Sequence, residues 1–353
     1  MNHEILIQKL KKISPGTDIR VAIDNIISAD IGALIVFADD EERCMDIIQP
    51  GFEINCPFDP NKLFELAKMD GAIVISEDIS KILFANVQLT PDPTIPTSQT
   101  GMRHRAAERF AKQKSMLVIA ISKRRKEMSI FYDDIHYTLL SVEAVLSRLT
   151  QTMFTLEKYK SAFLDGIEEI DMLDKTDSLT LYDVVETIQK GFVILTVSKE
   201  LEISLAQIGK EGAHSIMQLN EINFGVRDEL KELMLDYSKT LPEIDSIDEI
   251  LDNSDRFIEK GSVNKPTFSK LLGYEVHNAS DLFDTIVYAK GIRFIKRIPR
   301  IPLNVAYKVG MKFGSFQNLV KANYNEIKEV EGIGDVRASL ISNKISSYLR
   351  DSR

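Results

Sequence analysis

Apolar and polar positions change rhythm several times along the chain. Residues 1–12 alternate as on an amphipathic helix, and Gly32-Ala33-Leu34-Ile35-Val36-Phe37 is an unbroken apolar run that predicts a buried strand. Leu63, Phe64, Leu66 and Ala67 place a helix over residues 61–69, while 72–75, 116–121 and 128–132 read as further strands. This interleaving predicts an α/β domain with a mixed sheet flanked by helices over residues 1–138. From Leu139 the period lengthens. Leu139, Val142, Val145, Leu146, Leu149 and Met153 repeat at helical spacing, as do residues within 181–197, 201–208 and 228–237, which predicts an all-α middle domain over 139–285. That middle part shows no sequence cluster of His, Cys or closely spaced carboxylates, so its pattern supports spacing or oligomerisation. A stretch rich in Asp, Ser and Asn, 245–255, reads as a softer linker. In the last domain, 286–353, residues 325–330 read as a helix, Glu331-Gly332-Ile333-Gly334 as a tight turn, and 335–348 as a second helix with Val336, Leu340, Ile341 and Ile345 on one face.

A length of 353 residues agrees with two or three domains, and 44% hydrophobic with 27% charged residues is the composition of a soluble globular protein. No apolar stretch approaches the roughly 20 residues that span a bilayer, and no secretory core precedes residue 12. A cytoplasmic protein without a membrane partner is expected. Cys44 and Cys56 are too few for a disulfide framework and lack zinc-ligand spacing, so both are expected to be reduced and structural.

Charge alters the picture at one end. The net charge of −9 argues against a coat along nucleic acid, but residues 290–353 hold 13 Lys/Arg against 5 Asp/Glu, leaving 31 against 48 elsewhere. A basic end on an acidic body is a footprint for a polyanion such as DNA. Gly332 and Gly334 permit positive φ and close approach of the backbone to a phosphate, where N–H groups opening the next helix can donate. An αα-hairpin with a glycine cap explains an isolated Gly-x-Gly equally well. The cations Arg293, Lys296, Arg297, Arg300, Lys308, Lys312 and Lys344 favour a helix-hairpin-helix that grips the DNA backbone without reading bases. Its candidate contacts are Gly332, Ile333, Gly334, Arg337 and Lys344.

In the first domain, Asp70-Gly71-Ala72 stands where a helix gives way to a strand. A carboxylate there can hold a divalent metal, and Gly71 lets a nucleotide approach the backbone, although Asp-Gly alone is more often a turn. Arg103-His104-Arg105 follows a loop stiffened by Pro91, Pro93 and Pro96 and precedes a helix expected over 106–112. Guanidinium forks at a helix start suit a triphosphate, while a solvated basic face is the bland alternative. No Walker A motif, zincin pattern or nucleophile elbow competes.

Leu66-Ala67-Lys68-Met69-Asp70-Gly71-Ala72, Ala85-Asn86-Val87-Gln88-Leu89, Gly101-Met102-Arg103-His104-Arg105 and Ala120-Ile121-Ser122 together resemble the diadenylate cyclase domain. With the helical middle and Val330-Glu331-Gly332-Ile333-Gly334-Asp335-Val336-Arg337-Ala338, nearly the whole chain resembles the family of bacterial DNA integrity scanning proteins. The resemblance implies that two ATP molecules become cyclic di-AMP between facing domains of a homo-octamer whose DNA-binding ends recognise branched or junction-like DNA. It also implies that Asp70 binds Mg²⁺ or Mn²⁺ and readies a 3′-hydroxyl, that Arg103, His104 and Arg105 hold phosphates, that Gly71 and Leu89 contact the nucleoside, and that Ser122 lies near the phosphates. Ala72, Met102 and Ala106 complete the implied nucleotide site. Two positions depart from the family pattern: Ala106 replaces Thr and Gln99 replaces Glu. Loss of the threonine hydroxyl is expected to weaken turnover, which keeps open a DNA-junction-binding scaffold whose nucleotide domain senses ATP or cyclic di-AMP.

Overall fold

A computed structural model describes residues 3–39, 46–49, 51–258, 265–278 and 280–351. They divide into two compact units, 1–151 with 201–217 and 152–200 with 218–353. The first unit opens with α1 (His3–Lys12) and α2 (Asp18–Ser28), followed by β1 (Leu34–Ala38), β2 (Ile48–Gln49), β3 (Phe52–Pro57) and α3 (Pro60–Leu66). Then come β4 (Ala72–Ser76), β5 (Lys81–Leu89), α4 (Met102–Lys114), β6 (Leu117–Ser122), β7 (Glu127–Tyr132) and β8 (Ile135–Leu139). The strands form one mixed sheet in the order β2-β5-β4-β1-β6-β7-β8, with β3 also paired to β5. β1 runs parallel to β4 and antiparallel to β6 at its centre.

All five residues of β1 are buried, which explains their unbroken apolar run: a central strand is covered on both faces. One apolar layer joins Leu6, Leu10 and Ile23 to Ile35, Phe37 and Ile119. The other joins Val36, Val74 and Val118 to Ala107 and Phe110 of α4. Helix α4 is therefore anchored by its apolar side to one face of the sheet. Helix α3 starts at Pro60 because Asp59 accepts hydrogen bonds from the N–H groups of Asn61 and Lys62 at 2.9 and 3.0 Å. Strands β3, β5 and β8, with mixed polar and apolar residues, carry a weaker sequence signal than β1.

Helices follow from there: α5 (Val142–Lys175), α6 (Leu181–Ile208), α7 (Ala213–Asn223), α8 (Val226–Tyr237), α9 (Ile244–Asp252), α10 (Lys265–Leu271) and α11 (Asp281–Asp284). The separate segments 181–197 and 201–208 are one continuous helix. The linker expected at 245–255 is also corrected, because it is mostly α9. Ile247 and Leu251 fall on one side of α9 and are buried, which outweighs its polar composition, and Asn253 closes the helix by donating Nδ2–H to the Glu249 carbonyl at 2.8 Å. The second unit packs Phe163, Ile170, Val184, Phe192, Leu230 and Leu233 in its core.

The chain ends in α12 (Ile292–Lys296), α13 (Leu303–Phe313), α14 (Phe316–Lys321), α15 (Tyr324–Lys328) and α16 (Asp335–Asp351). Buried Arg293 gives Nη1 to Asp171 at 2.9 Å, and Arg297 gives Nη2 to the same carboxylate at 2.7 Å. Asp236 accepts from the backbone of Ile292 and Arg293 at 2.8 and 3.3 Å, fixing the start of α12. Cys56 is half-buried and free, and Cys44 lies outside the described residues.

Candidate functional site

The first functional constellation gathers at one end of β1, β4 and β6. Asp70, just ahead of β4, has a fully exposed carboxylate, and Arg103 brings Nη2 to 3.4 Å from its Oδ1. Two glycines permit close approaches around this pair, one between strands and one beneath the guanidinium. Gly71 has φ +92°, and a β-carbon there would meet the Asn86 carbonyl carbon and the Val87 oxygen at 2.9 Å. Opposite it, β5 inserts an extra residue against β4, with Asn86 itself at φ +55°. Gly32 lies beneath Arg103, since a β-carbon on it would stand 2.8 Å from Nη1. Sequence reasoning missed Gly32, because nothing local marks it.

Gly101 is the N-cap of α4 and no side chain caps that end, so its first N–H groups face outward beside Arg103. The helix begins at Met102 rather than at the expected residue 106. Arg103, His104 and Arg105 therefore occupy its first turn, and half-buried Ala106 lies one turn in, against the apolar layer. Met102 and Arg105 are exposed. Ala72 and Leu89 have their side chains in the apolar layer beneath the site. At the end of β6, Ser122 Oγ accepts from the Arg125 N–H at 3.3 Å, inside the basic turn Lys123-Arg124-Arg125-Lys126. That turn is a second source of positive charge that no sequence motif marks.

His104 is half-buried, with its ring edge-on to Phe131 at 6.2 Å, and His136 stacks on the same ring at 4.7 Å. Burial first, then the positive charge of Arg125, push the His104 imidazole below the usual histidine value, so it is neutral at pH 7 and offers a single N–H. The proline-bearing loop is riveted to one side of α4. Glu108 accepts from Thr97 Oγ1 at 2.5 Å, the Ser98 N–H at 3.2 Å and Lys112 at 3.0 Å, while Arg109 donates Nε–H to the Ile95 carbonyl at 2.8 Å. Burial would raise the Glu108 carboxyl, but the bonds from Thr97 and Lys112 hold it below the usual range. Gln99 follows in this loop, 3.4 Å from His136 Nδ1. Among the described residues, no three His, Cys, Asp or Glu side chains converge as a metal cluster. Any cation held by Asp70 would take its remaining oxygens from a bound phosphate and water.

The second constellation is the turn between α15 and α16. Gly332 has φ +87°, and both it and Gly334 are exposed. Arg337 gives Nη1 to the Gly332 carbonyl at 2.7 Å and braces the turn, while Ile333 is buried beneath it. Lys344 stands apart, roughly 15 Å further along α16 by helical rise. Two of the expected cations are locally paired beside this turn, Lys308 with Glu331 at 2.9 Å and Lys312 with Glu329 at 2.8 Å, and Lys328 also pairs with Asp335, at 2.5 Å.

A carboxylate, a guanidinium and an uncapped helix start beside two close-fitting glycines on an α/β sheet suit a nucleotide-binding domain. Residues 20–135 match the family described as the DisA bacterial checkpoint controller nucleotide-binding domain, and residues 139–281 match the DisA linker region. Among curated relatives, the DNA integrity scanning protein DisA of Thermotoga maritima is 45% identical over 97% of this chain and 95% of its own length. That of Carboxydothermus hydrogenoformans is 38% identical over 97% and 96%. A solved structure of DacA from Staphylococcus aureus, 23% identical, covers 42% of this chain and 95% of its own with a TM-score of 0.30. The chain belongs to the DisA family of DNA integrity scanning proteins. Among the described residues, no helix is long and apolar enough to cross a membrane.

Proposed function

We propose that the first unit is a diadenylate cyclase that condenses two ATP into cyclic di-AMP and two pyrophosphates, and that the turn at Gly332 and Gly334 binds branched DNA. The observation that carries the cyclase reading is the pairing of exposed Asp70 with Arg103 at the uncapped start of α4. In this reaction each 3′-oxygen loses its proton and attacks the α-phosphorus of the other ATP, while the bond from that phosphorus to pyrophosphate breaks. Such chemistry asks for alignment and positive charge rather than a protein nucleophile. Arg103, Arg105 and the free N–H groups of α4 orient the triphosphate and neutralise the charge of the leaving group. Asp70 faces the hydroxyl side and is the residue to hold Mg²⁺ or Mn²⁺. When bound, that cation supplies Lewis-acid polarisation of the phosphates and eases deprotonation of the hydroxyl.

One copy offers one such site, so the reading requires two copies face to face, as in the octamer that family resemblance implies. Incubating the purified chain with ATP and Mn²⁺ or Mg²⁺ and following cyclic di-AMP and pyrophosphate tests it directly. Formation of both in a 1:2 ratio is expected. ATP binding without product would favour the second reading, a DNA-junction-binding scaffold with a sensing domain, which the departure at Ala106 supports.

A further inference from the structure

Helix α12, the turn after it and α13 repeat, 32 residues later, as α15, its turn and α16. Ile292–Lys296 is offset from Tyr324–Lys328 by that number at both ends, and Leu303 from Asp335 likewise. The hydrogen bonds repeat too. Ile295 N–H donates to Gly291 O and Ile327 N–H to Asn323 O, both at 3.1 Å; Ile301 N–H donates to Ile298 O and Ile333 N–H to Val330 O; Ala306 N–H donates to Pro302 O and Ala338 N–H to Gly334 O. Buried positions match in pairs: Ile295 with Ile327, Ile298 with Val330, Ile301 with Ile333, Ala306 with Ala338 and Val309 with Ile341. The chain thus contains two helical hairpins of one design, and only the second carries the Gly-x-Gly turn that sequence reading recognises.

At the position equivalent to Gly332 the first hairpin has Arg300. Its φ is +69°, the same left-handed region as Gly332 at +87°. A side chain held there is strained in a way that glycine avoids. Arg300 is nonetheless exposed and takes part in no hydrogen bond or ion pair among the described residues, so no contact within the fold explains it. The flanking positions are Pro299 and Pro302, neither of which has an N–H to donate. A phosphate at this turn therefore finds fewer backbone donors than at the second turn, and a guanidinium brings five donors in a planar fork. The two turns are neighbours: a β-carbon on Gly332 would touch Val305 of α13 at 3.4 Å, and Lys308 of α13 pairs with Glu331.

We propose that the hairpin around Arg300 is a second DNA-backbone contact, in which the Arg300 guanidinium binds a phosphate where the partner hairpin uses backbone N–H groups. This rests on the reading of the C-terminal hairpin as DNA-binding. The test uses the full chain and a synthetic four-way DNA junction titrated across a range of salt concentrations. Arg300→Gly should weaken binding about three- to tenfold and lower the salt slope by about one, without lowering the melting temperature, since glycine relieves the strained φ. Arg300→Lys, which keeps the charge, should retain most of the slope. Lys321→Ala, which removes one charge at the end of α14 rather than from either turn, should change binding less than Arg300→Gly. Normal binding by Arg300→Gly alongside loss in Gly332→Ala/Gly334→Ala would refute the second contact and leave the first standing. Equal loss in Lys321→Ala would reduce the effect to net charge and also overturn it. A wild-type chain that binds no junction at all would defeat the underlying reading itself.

Discussion

Arg103 Nη2 lies 3.4 Å from Asp70 Oδ1, a pair closed across 33 residues of chain. Because Asp70 is fully exposed, the pair adds little to stability, and under the proposed function its role is chemical. Asp70→Asn is therefore expected to melt within about 1 °C of wild type while losing at least about a hundredfold in cyclic di-AMP synthesis. A folded variant with undiminished synthesis would remove Asp70 from the reaction.

The two glycines beneath that pair should behave differently. Gly71→Ala places a side chain at φ +92° against backbone atoms 2.9 Å away and is expected to cost about 1–3 kcal/mol, seen as a lower melting temperature. Gly32→Ala meets the far end of Arg103 at 2.8 Å, which can swing aside, and otherwise makes ordinary contacts with the Ile121 carbonyl at 3.4 Å and Lys123 Cβ at 3.5 Å. It should leave stability nearly unchanged and raise the KM for ATP several-fold. Identical ATP kinetics in Gly32→Ala would show that Arg103 does not hold substrate in the place described.

Ala106 sits on the same side of α4 as Arg103, three residues on, half-buried above the apolar layer. A threonine hydroxyl there that reached a phosphate would add a charge-assisted hydrogen bond, worth roughly 1.5–3 kcal/mol. Ala106→Thr is accordingly expected to raise synthesis on the order of tenfold at saturating ATP and metal. Equal rates would mean that the hydroxyl turns back to the Met102 carbonyl, as threonines inside helices do.

Acid should stabilise the second unit over part of the pH range. Burial first, then the charge of Glu229, push Glu232 up to about 7, and burial with the charge of Asp236 pushes Asp174 up to about 6. Both groups bind a proton in the folded chain that the unfolded chain has already released. Their contribution is therefore fully present below the ordinary carboxylate range and is lost as pH rises through about 6 to 7. Glu232→Gln removes one of these groups. It should melt several degrees higher than wild type at pH 8 and show a shallower dependence on pH between 5 and 8. The same melting curve for both proteins at pH 8 would contradict the shift.

Much of this protein could be read from sequence by itself, wherever the deciding interaction is local. The apolar run at 34–37, the period of α5 and the Gly332-Ile333-Gly334 turn each announce themselves within a few residues, because strand burial, helical facing and positive φ are set by neighbours in the chain. Family resemblance, rather than any local pattern, suggests Asp70, Arg103 and Ser122 as one site, and the fold brings Asp70 and Arg103 to within 3.4 Å of each other. Other features only the tertiary structure decided. Gly32 acquires meaning from Arg103, 71 residues later, and the polar stretch 245–252 is a helix because Ile247 and Leu251 find a buried surface. Asp171 and Asp236 look scattered in the sequence and meet around Arg293 because long helices return to the same place. The first hairpin stayed hidden for the opposite reason. Its arginine and two prolines carry none of the glycine signature, and its kinship with the second shows only in backbone angles and hydrogen bonds, which folding sets and composition does not record.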